Sequence, residues 1–226
     1  MGHLSEKHIK LMFILPGEYE NLFGNSLKWL LDNYIEILAT LTGLIYLVYS
    51  VRGKVLLWLF GILTSTLYVY VFFKAKIYAD MSINLYYIII SIYGWIHWIK
   101  GKPGVRIDLP VCRIQLKQII YLSLITITLF IFIAFILEKF TDSDIAIFDA
   151  VTTSASITAT WMLARKILEH WVIWIFVDAL SIGLYIHKEL YPTVILFVFY
   201  TTLALLGYIE WKKQWKQQQD QISGSY

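Results

Sequence analysis

The chain has 226 residues, of which 58% are hydrophobic and 15% are charged, whereas soluble domains carry about 25% charged residues. A soluble domain of this size leaves too much surface in water for such a composition, so an integral membrane protein is predicted instead. The net charge of +3 comes without the dense basic patches that nucleic-acid binding needs, and the single cysteine, Cys112, excludes a disulfide framework or a cysteine metal site.

Seven stretches are long and apolar enough to cross a bilayer as helices. In chain order they are residues 35–51, 55–73, 81–98, 119–137, 145–163, 171–187 and 192–211. The fifth is the weakest because it contains the run TTSASITAT, but these hydroxyls can bond to their own helix or to a neighbour. The sequence therefore predicts an all-α integral membrane protein with seven transmembrane helices.

The termini and loops set the predicted orientation. The N-terminal segment, residues 1–34, holds an apolar run too short for a signal-peptide core, so the first span is expected to act as its own targeting signal. The loops before the second, fourth and sixth spans and the C-terminus carry twelve lysines and arginines, against seven on the opposite side. Because cytoplasmic loops are the more basic ones, the C-terminus is predicted to be cytoplasmic. The tail, residues 212–226, is expected to be solvated and disordered.

The chain resembles itself when it is shifted by 113 residues. The shift pairs Glu36 with Asp149, Arg52 with Arg165, Trp58 with Trp171, Tyr78 with Tyr191, Gly94 with Gly207 and Trp98 with Trp211. The repeated unit holds three helices, in residues 35–98 and 145–211, and residues 99–144 supply a basic loop and the linker span 119–137. Because the repeated unit has an odd number of helices, two directly joined copies would insert in opposite orientations. One extra helix between them keeps both copies in the same orientation, as in SWEET-type transporters. The sequence thus predicts a SWEET-like 3+1+3 parallel repeat, although a duplication that is purely architectural, in a receptor or scaffold, is the alternative.

Polar and aromatic residues recur at helical spacing on several spans. The stripes are Trp171, Trp174, Asp178, Ser181 and Tyr185 in the sixth span, Asn84, Tyr87, Ser91, Trp95 and Trp98 in the third, Trp58, Gly61, Ser65, Tyr68 and Phe72 in the second, and Phe197, Tyr200, Ala204, Tyr208 and Trp211 in the seventh. Asp178 lies in the middle of its span, where a carboxylate costs about 2.5–3.5 kcal/mol on insertion scales. Aromatic walls with one anionic group suit a flat cationic ring, through stacking, cation–π attraction and charge pairing. The candidate substrate-binding residues are Asp178, Trp174, Asn84, Tyr87, Tyr200, Ser181 and Trp95.

Several of these features also have a purely structural interpretation. Trp98, Trp171 and Trp211 lie near span ends and are expected in the interfacial aromatic belt. Close-packing points are expected at Gly43, Gly61, Gly183 and Gly207. Asp178 can instead bond to the hydroxyl-rich fifth span, which would leave a scaffold or receptor with no saturable ligand.

Motifs for other chemistry are missing from the sequence. It has no GxxxxGK[ST] phosphate loop, no HExxH zinc motif and no cluster of cysteines and histidines. No catalytic residue, metal ligand or cofactor is therefore expected. The prediction is a facilitator that equilibrates its solute rather than an enzyme.

Three segments, SIYGWIHWIKGK, ATWMLARKILEHWVIWIFVDALSIGLYI and LALLGYIEWKK, resemble the nicotinamide riboside transporter family, PnuC. The resemblance extends over residues 35–213, and its YGWxxW, WxxW and GYxxW patterns are jointly specific. It implies a seven-helix, SWEET-like fold in a bacterial inner membrane and facilitated diffusion of nicotinamide riboside, which is then trapped by phosphorylation. It leaves open whether the chain assembles as a homo-oligomer such as a trimer.

Two positions depart from the pattern of that family. Asn84 stands where members typically have Gln, and Asp178 stands where they have Asn; both positions are among those that the resemblance expects to touch substrate. The added negative charge suits nicotinamide riboside, whose ring is a pyridinium cation. It suits equally the cation thiamine, which is carried by the similar branch PnuT, so thiamine is the alternative substrate.

Overall fold

The structure, a computed structural model, describes residues 33–100, 109–141 and 144–223, together with Lys28. These residues form seven helices: α1 (Tyr34–Val51), α2 (Leu56–Ala75), α3 (Tyr78–Lys100), α4 (Leu116–Phe140), α5 (Ala146–Ala164), α6 (His170–His187) and α7 (Tyr191–Ser223). The predicted all-helical class with seven helices is confirmed. Most of the predicted N-terminal segment, residues 101–108 of the basic loop and the last three residues of the tail lie outside the described residues.

Five of these helices are long and apolar enough to cross a membrane: α1, α2, α4, α6 and the Thr193–Gln221 part of α7. Their outer faces carry large apolar side chains that only hydrocarbon would cover. In α4 only Leu122 is buried, while Leu124 and Phe132 are among many exposed apolar residues. A bilayer is therefore the solvent that this surface fits.

Helix α5, by contrast, is largely enclosed by other helices. Eleven of its residues are buried, nearly all of them alanine, serine or threonine, and such small residues let neighbouring backbones approach closely. Thr158 and Thr160 donate hydrogen bonds to carbonyls one turn earlier, and Thr158 also shares a hydrogen bond of 2.7 Å with Thr126 of α4. The expectation that these hydroxyls find partners in their own helix or in a neighbour is confirmed.

The helices pack in two groups, α1–α2–α3 and α5–α6–α7, with α4 against α5. The groups meet where α3 packs on α5 and where α7 packs on α1. Tryptophans make matching contacts in both groups: Trp58 meets Trp98 edge to face at 5.4 Å, and Trp171 meets Trp211 in the same way at 5.9 Å. These pairs are related by the offset of 113 residues.

The same tryptophans hold the two groups together. Trp98 Nε1 donates to the carbonyl of Ala164 at 3.1 Å, and Trp211 Nε1 donates to the carbonyl of Ser50 at 3.0 Å. Each hydrogen bond runs from the third helix of one group to the first helix of the other. Trp98, Trp171 and Trp211 are all buried, so the prediction of an interfacial belt is wrong for them, because their indole N–H groups or rings find partners inside the bundle.

Two glycines make room for tryptophan rings. A Cβ atom at Gly94 would lie within 2.6 Å of three ring atoms of Trp58, and one at Gly207 within 2.6 Å of three ring atoms of Trp171. The prediction of a packing point at Gly207 is confirmed. It is also confirmed at Gly61, where a Cβ would lie 2.9 Å from Ser91 Oγ, and it is wrong at Gly183, where nothing lies within 4 Å.

The tail is solvated as predicted, since most of its described side chains are exposed, but the prediction of disorder is wrong as far as residue 223. Helix α7 continues to Ser223, beyond the end of the apolar stretch. Trp215 packs against the core, and the Arg113 guanidinium lies 5.4 Å from the centre of its ring. Arg113 is also paired with Glu169, whose other oxygen accepts a 2.9 Å hydrogen bond from the backbone N–H of Ile114. These contacts with the rest of the protein stabilise the polar end of α7 as a helix, which its composition alone does not predict.

Candidate functional site

A cavity of about 270 Å³ lies between α1, α6 and α7. The residues that line it are Ala39, Thr40, Gly43, Tyr46, Leu47 and Ser50 of α1, Tyr68 of α2, Leu163 of α5, Trp171, Trp174 and Asp178 of α6, and Tyr200, Leu203 and Ala204 of α7. Both helix groups contribute to its wall. Its size is near the lower end of the range of small-molecule sites.

Asp178 is the one charged residue among the described residues that line this cavity. It lies half-way along α6, and only 5% of the residue is exposed. No hydrogen bond or salt bridge joins its carboxylate to another residue in the described part of the chain. A buried polar group of this kind normally has a partner, so the position is suited to a ligand that brings a positive charge or a donor. The alternative, that Asp178 bonds to the hydroxyls of α5, is not what the structure shows.

Aromatic rings form much of the cavity wall. Trp171 and Trp174 stand one helical turn apart on α6, next to Asp178 on the same stripe. The Trp171 ring packs against Gly207 and meets the Trp211 ring edge to face. Tyr200 of α7 lines the same cavity as Asp178. The result is an anionic group beside several ring faces, a combination that attracts flat cations.

Helix α1 contributes small and hydroxylated residues that no predicted stripe included. Thr40 Oγ1 donates to the carbonyl of Glu36 and also lies 3.4 Å from the Tyr68 hydroxyl. Ser50 closes one end of the cavity, where its carbonyl accepts the hydrogen bond from Trp211. The signal was available in the sequence: Ala39, Gly43, Tyr46 and Ser50 recur at intervals of three or four residues.

Three of the seven candidate substrate-binding residues, Trp174, Asp178 and Tyr200, line this one cavity. The other four lie outside it. Asn84 Nδ2 and Ser181 Oγ each donate a hydrogen bond to a carbonyl of their own helix, Asp80 and Val177 respectively.

Tyr87 and Trp95, the remaining two, pack against the buried core on α3. Helix α3 packs along α2 and α5, and its contact with α7 is made by Trp98, whose ring lies 6.1 Å from that of Trp211. The stripe on α3 therefore faces the interior without reaching this cavity. Within the described ranges, no three histidine, cysteine or acidic side chains come together as metal ligands would.

The sequence model of the nicotinamide mononucleotide transporter family matches residues 33–213. The chain belongs to this family. The resemblance seen in the motifs is thus confirmed, and with its apolar helices the chain is a multi-pass membrane transporter for a small molecule.

Individual relatives are similar over most of their length. The nicotinamide riboside transporter PnuC of Neisseria mucosa is 25% identical over 202 residues, which cover 84% of this chain and 76% of that protein. The protein of the same name in Escherichia coli is 21% identical over 212 residues, covering 83% and 87% of the two chains.

A solved structure shares the fold. The crystal structure of the vitamin B3 transporter PnuC superimposes with a TM-score of 0.66 at 24% sequence identity, covering 87% of this chain and 88% of that one. The arrangement of helices described above is therefore that of a known transporter.

Proposed function

We propose that this chain carries nicotinamide riboside across the membrane by facilitated diffusion, through the cavity between α1, α6 and α7. The observation that carries the proposal is Asp178, a buried carboxylate that faces an aromatic cavity and has no partner among the described residues. The names of the relatives in Neisseria mucosa and Escherichia coli support the choice of substrate.

Nicotinamide riboside joins a flat pyridinium cation to a ribose, and the cavity offers a complement to each part. The pyridinium ring can stack on Trp171 or Trp174, where the ring quadrupole attracts a cation. Asp178 neutralises the charge in a low dielectric, and the substrate in turn offsets the cost of burying Asp178. Thr40 and Tyr200 offer hydroxyl groups to the ribose. The four candidates outside the cavity are left out of the proposed site.

The two helix groups are proposed to be the halves of a SWEET-like 3+1+3 parallel repeat, with α4 as the linker. The matched tryptophan pairs and the reciprocal hydrogen bonds from Trp98 and Trp211 support this arrangement. Alternating access would then move one half against the other around the cavity. The proposed location is a bacterial inner membrane with the C-terminus in the cytoplasm, as the excess of basic residues favours.

Transport by purified protein in liposomes tests the proposal. Liposomes loaded with unlabelled nicotinamide riboside should take up the labelled compound until it equilibrates, with saturable kinetics and with neither nucleotide nor ion gradient. Asp178→Asn should weaken this uptake, whereas Asp80→Asn, which changes an exposed carboxylate of α3, should leave it unaltered. Uptake that requires a proton gradient would overturn the passive mechanism.

Thiamine is the second candidate substrate because the same carboxylate can pair with its aminopyrimidine. Competition by unlabelled thiamine in the exchange assay separates the two vitamins. If calorimetric titration of the purified protein shows no saturable binding of either vitamin, the scaffold interpretation replaces both. Native mass spectrometry of the same preparation decides whether the transporter is a trimer or a single copy.

A further inference from the structure

A second cavity, of about 250 Å³, lies at the end of the bundle where the loop between α1 and α2, the turn between α5 and α6 and the polar part of α7 meet. Its lining residues are Arg52, Gly53, Lys54, Lys166, Gln214, Gln217, Gln218 and Gln221. Three of these are cationic, four carry amide groups, and none of the described residues in the lining is acidic. We call this cavity the basic pocket.

Lys166 is an unusual component of the basic pocket. The residue is only 3% exposed, and its Nζ lies 4.5 Å from the ring centre of Trp98. Its φ of 56° is in the left-handed region, and the residue 113 positions earlier, Gly53, has a φ of 63°. Glycine adopts that conformation freely, whereas a side chain there is strained. Lys76 and Glu189 adopt the same conformation at other helix ends, but Lys166 is the one of the three that is buried, and a buried lysine where the other half has glycine points to a use for its charge.

The α7 side of the basic pocket is a stripe of glutamines. Gln214, Gln217, Gln218 and Gln221 fall on one face of the helix. Gln214 Nε2 donates to Glu210 Oε1 at 3.1 Å, and Glu210 itself does not line the pocket. The buried Oε1 of Gln218 has no hydrogen-bond partner in the described part of the chain. Because the two ends of an amide are interchangeable by a flip, Gln218 can turn an N–H donor toward a ligand.

We propose that the basic pocket binds a phosphate group. Arg52 can bind two phosphate oxygens at once, the two lysines add point charges, and the glutamine amides supply neutral donors to the remaining lone pairs. The group belongs either to a soluble phosphate or to the headgroup of an anionic lipid, since the pocket lies just beyond the apolar length of the helices.

The basic pocket is distinct from the proposed substrate cavity. Trp211 separates them: its Nε1 donates to the carbonyl of Ser50, which lines the substrate cavity, and lies 3.5 Å from where a Cβ of Gly53 would be. The proposal does not depend on which solute is transported, because none of the described residues lines both cavities.

Two measurements on the full-length protein test the proposal and distinguish the sources. In the first, delipidated protein in a neutral detergent is titrated calorimetrically with inorganic phosphate at constant ionic strength, with chloride as the reference salt. In the second, thermal unfolding is compared in nanodiscs of phosphatidylcholine alone and of phosphatidylcholine with phosphatidylglycerol. Saturable phosphate binding identifies a soluble phosphate, and stabilisation by phosphatidylglycerol without phosphate binding identifies a lipid headgroup.

The variants decide whether the basic pocket is responsible. The exposed pair Arg52→Gln and Lys54→Gln, combined in one protein, should raise the apparent Kd for phosphate at least about tenfold or abolish the stabilisation by phosphatidylglycerol, because each removes a charge-assisted hydrogen bond. Lys166→Gln should do the same if it folds. Lys213→Gln removes one charge, as Lys166→Gln does, but from an exposed position of α7 outside the pocket, and should change neither measurement. The proposal is overturned if neither probe acts, or if Lys213→Gln weakens the effect as much as the double variant does.

Discussion

Substitution of the glycine beneath Trp171 gives the sharpest test of the proposed site. Gly207→Ala would place a methyl group within 2.6 Å of three atoms of the Trp171 ring. Contact between carbon atoms is most favourable at about 3.5–4.0 Å, so the ring would have to withdraw by about 1 Å. Trp171 is buried and lines the proposed substrate cavity. The substitution therefore changes both the packing and the wall of the site.

Two other glycines turn this change into a controlled comparison. Gly94→Ala makes the same clash with Trp58, which does not line the cavity, and Gly183→Ala meets nothing within 4 Å. All three changes gain about 0.5–1 kcal/mol of helix propensity, because alanine restricts the unfolded chain more than glycine does. The difference between Gly207→Ala and Gly183→Ala thus isolates the overpacking cost, which is about 1–3 kcal/mol.

The expected results separate stability from binding. In equilibrium unfolding in mixed micelles, Gly94→Ala and Gly207→Ala should each be less stable than Gly183→Ala by that amount. In calorimetric titration with nicotinamide riboside, Gly207→Ala alone should lose affinity, by about two- to tenfold, because a displaced ring loses a stacking contact of about 0.5–1.5 kcal/mol.

Two outcomes would refute this reasoning. If Gly94→Ala and Gly207→Ala are as stable as Gly183→Ala, the tryptophan rings do not rest on these glycines. If both clashing variants lose affinity to the same extent, the cavity beside Trp171 is not where the ligand binds.

Three further predictions concern single side chains. Asp178→Asn should weaken binding of nicotinamide riboside by about 1–3 kcal/mol, or about 5- to 150-fold in Kd by calorimetry, and an unchanged Kd would reassign Asp178 to packing. Trp98→Phe should lower the free energy of unfolding by about 1–3 kcal/mol, because it leaves the buried carbonyl of Ala164 without its donor. Trp211→Phe should lower it by less, about 0.5–1.5 kcal/mol, because the carbonyl of Ser50 keeps its hydrogen bond from the N–H of Gly53; a neutral result for Trp98→Phe would show that its contact is dispensable. Cys112 lies on the predicted cytoplasmic side, so it should resist a membrane-impermeant maleimide in intact cells and react after permeabilisation. Labelling in intact cells would show that the protein has the opposite orientation. Removal of water by the surrounding protein raises the pKa of the Cys112 thiol, so its thiolate fraction is below that of a free cysteine at neutral pH and labelling should speed up as the pH rises toward that pKa.

The class of protein and the position of most helices follow from the sequence. Long apolar stretches must become helices in hydrocarbon, because every backbone polar group has to be bonded within its own segment. The hydroxyl-rich fifth span was predictable for the same reason, since threonines such as Thr158 and Thr160 bond one turn back along their own helix. A repeat offset that pairs rare residues also identified Trp58, Trp171 and their glycines before any contact was known.

What the sequence left undecided depends on which helices meet. A stripe at helical spacing shows that a face is turned inward, but not toward which neighbour, so Asn84 and Trp95 on α3 were grouped with Asp178 although α3 does not meet α6. Burial of Trp98 and Trp211 needed acceptor carbonyls on the opposite half of the molecule, and no local pattern specifies contacts between residues so distant in the chain. The sequence alone determined a membrane protein with a costly carboxylate in mid-span. Only the tertiary structure decided that α1 completes the cavity around Asp178, because packing between helices, rather than their periodicity, selects the neighbours of each side chain.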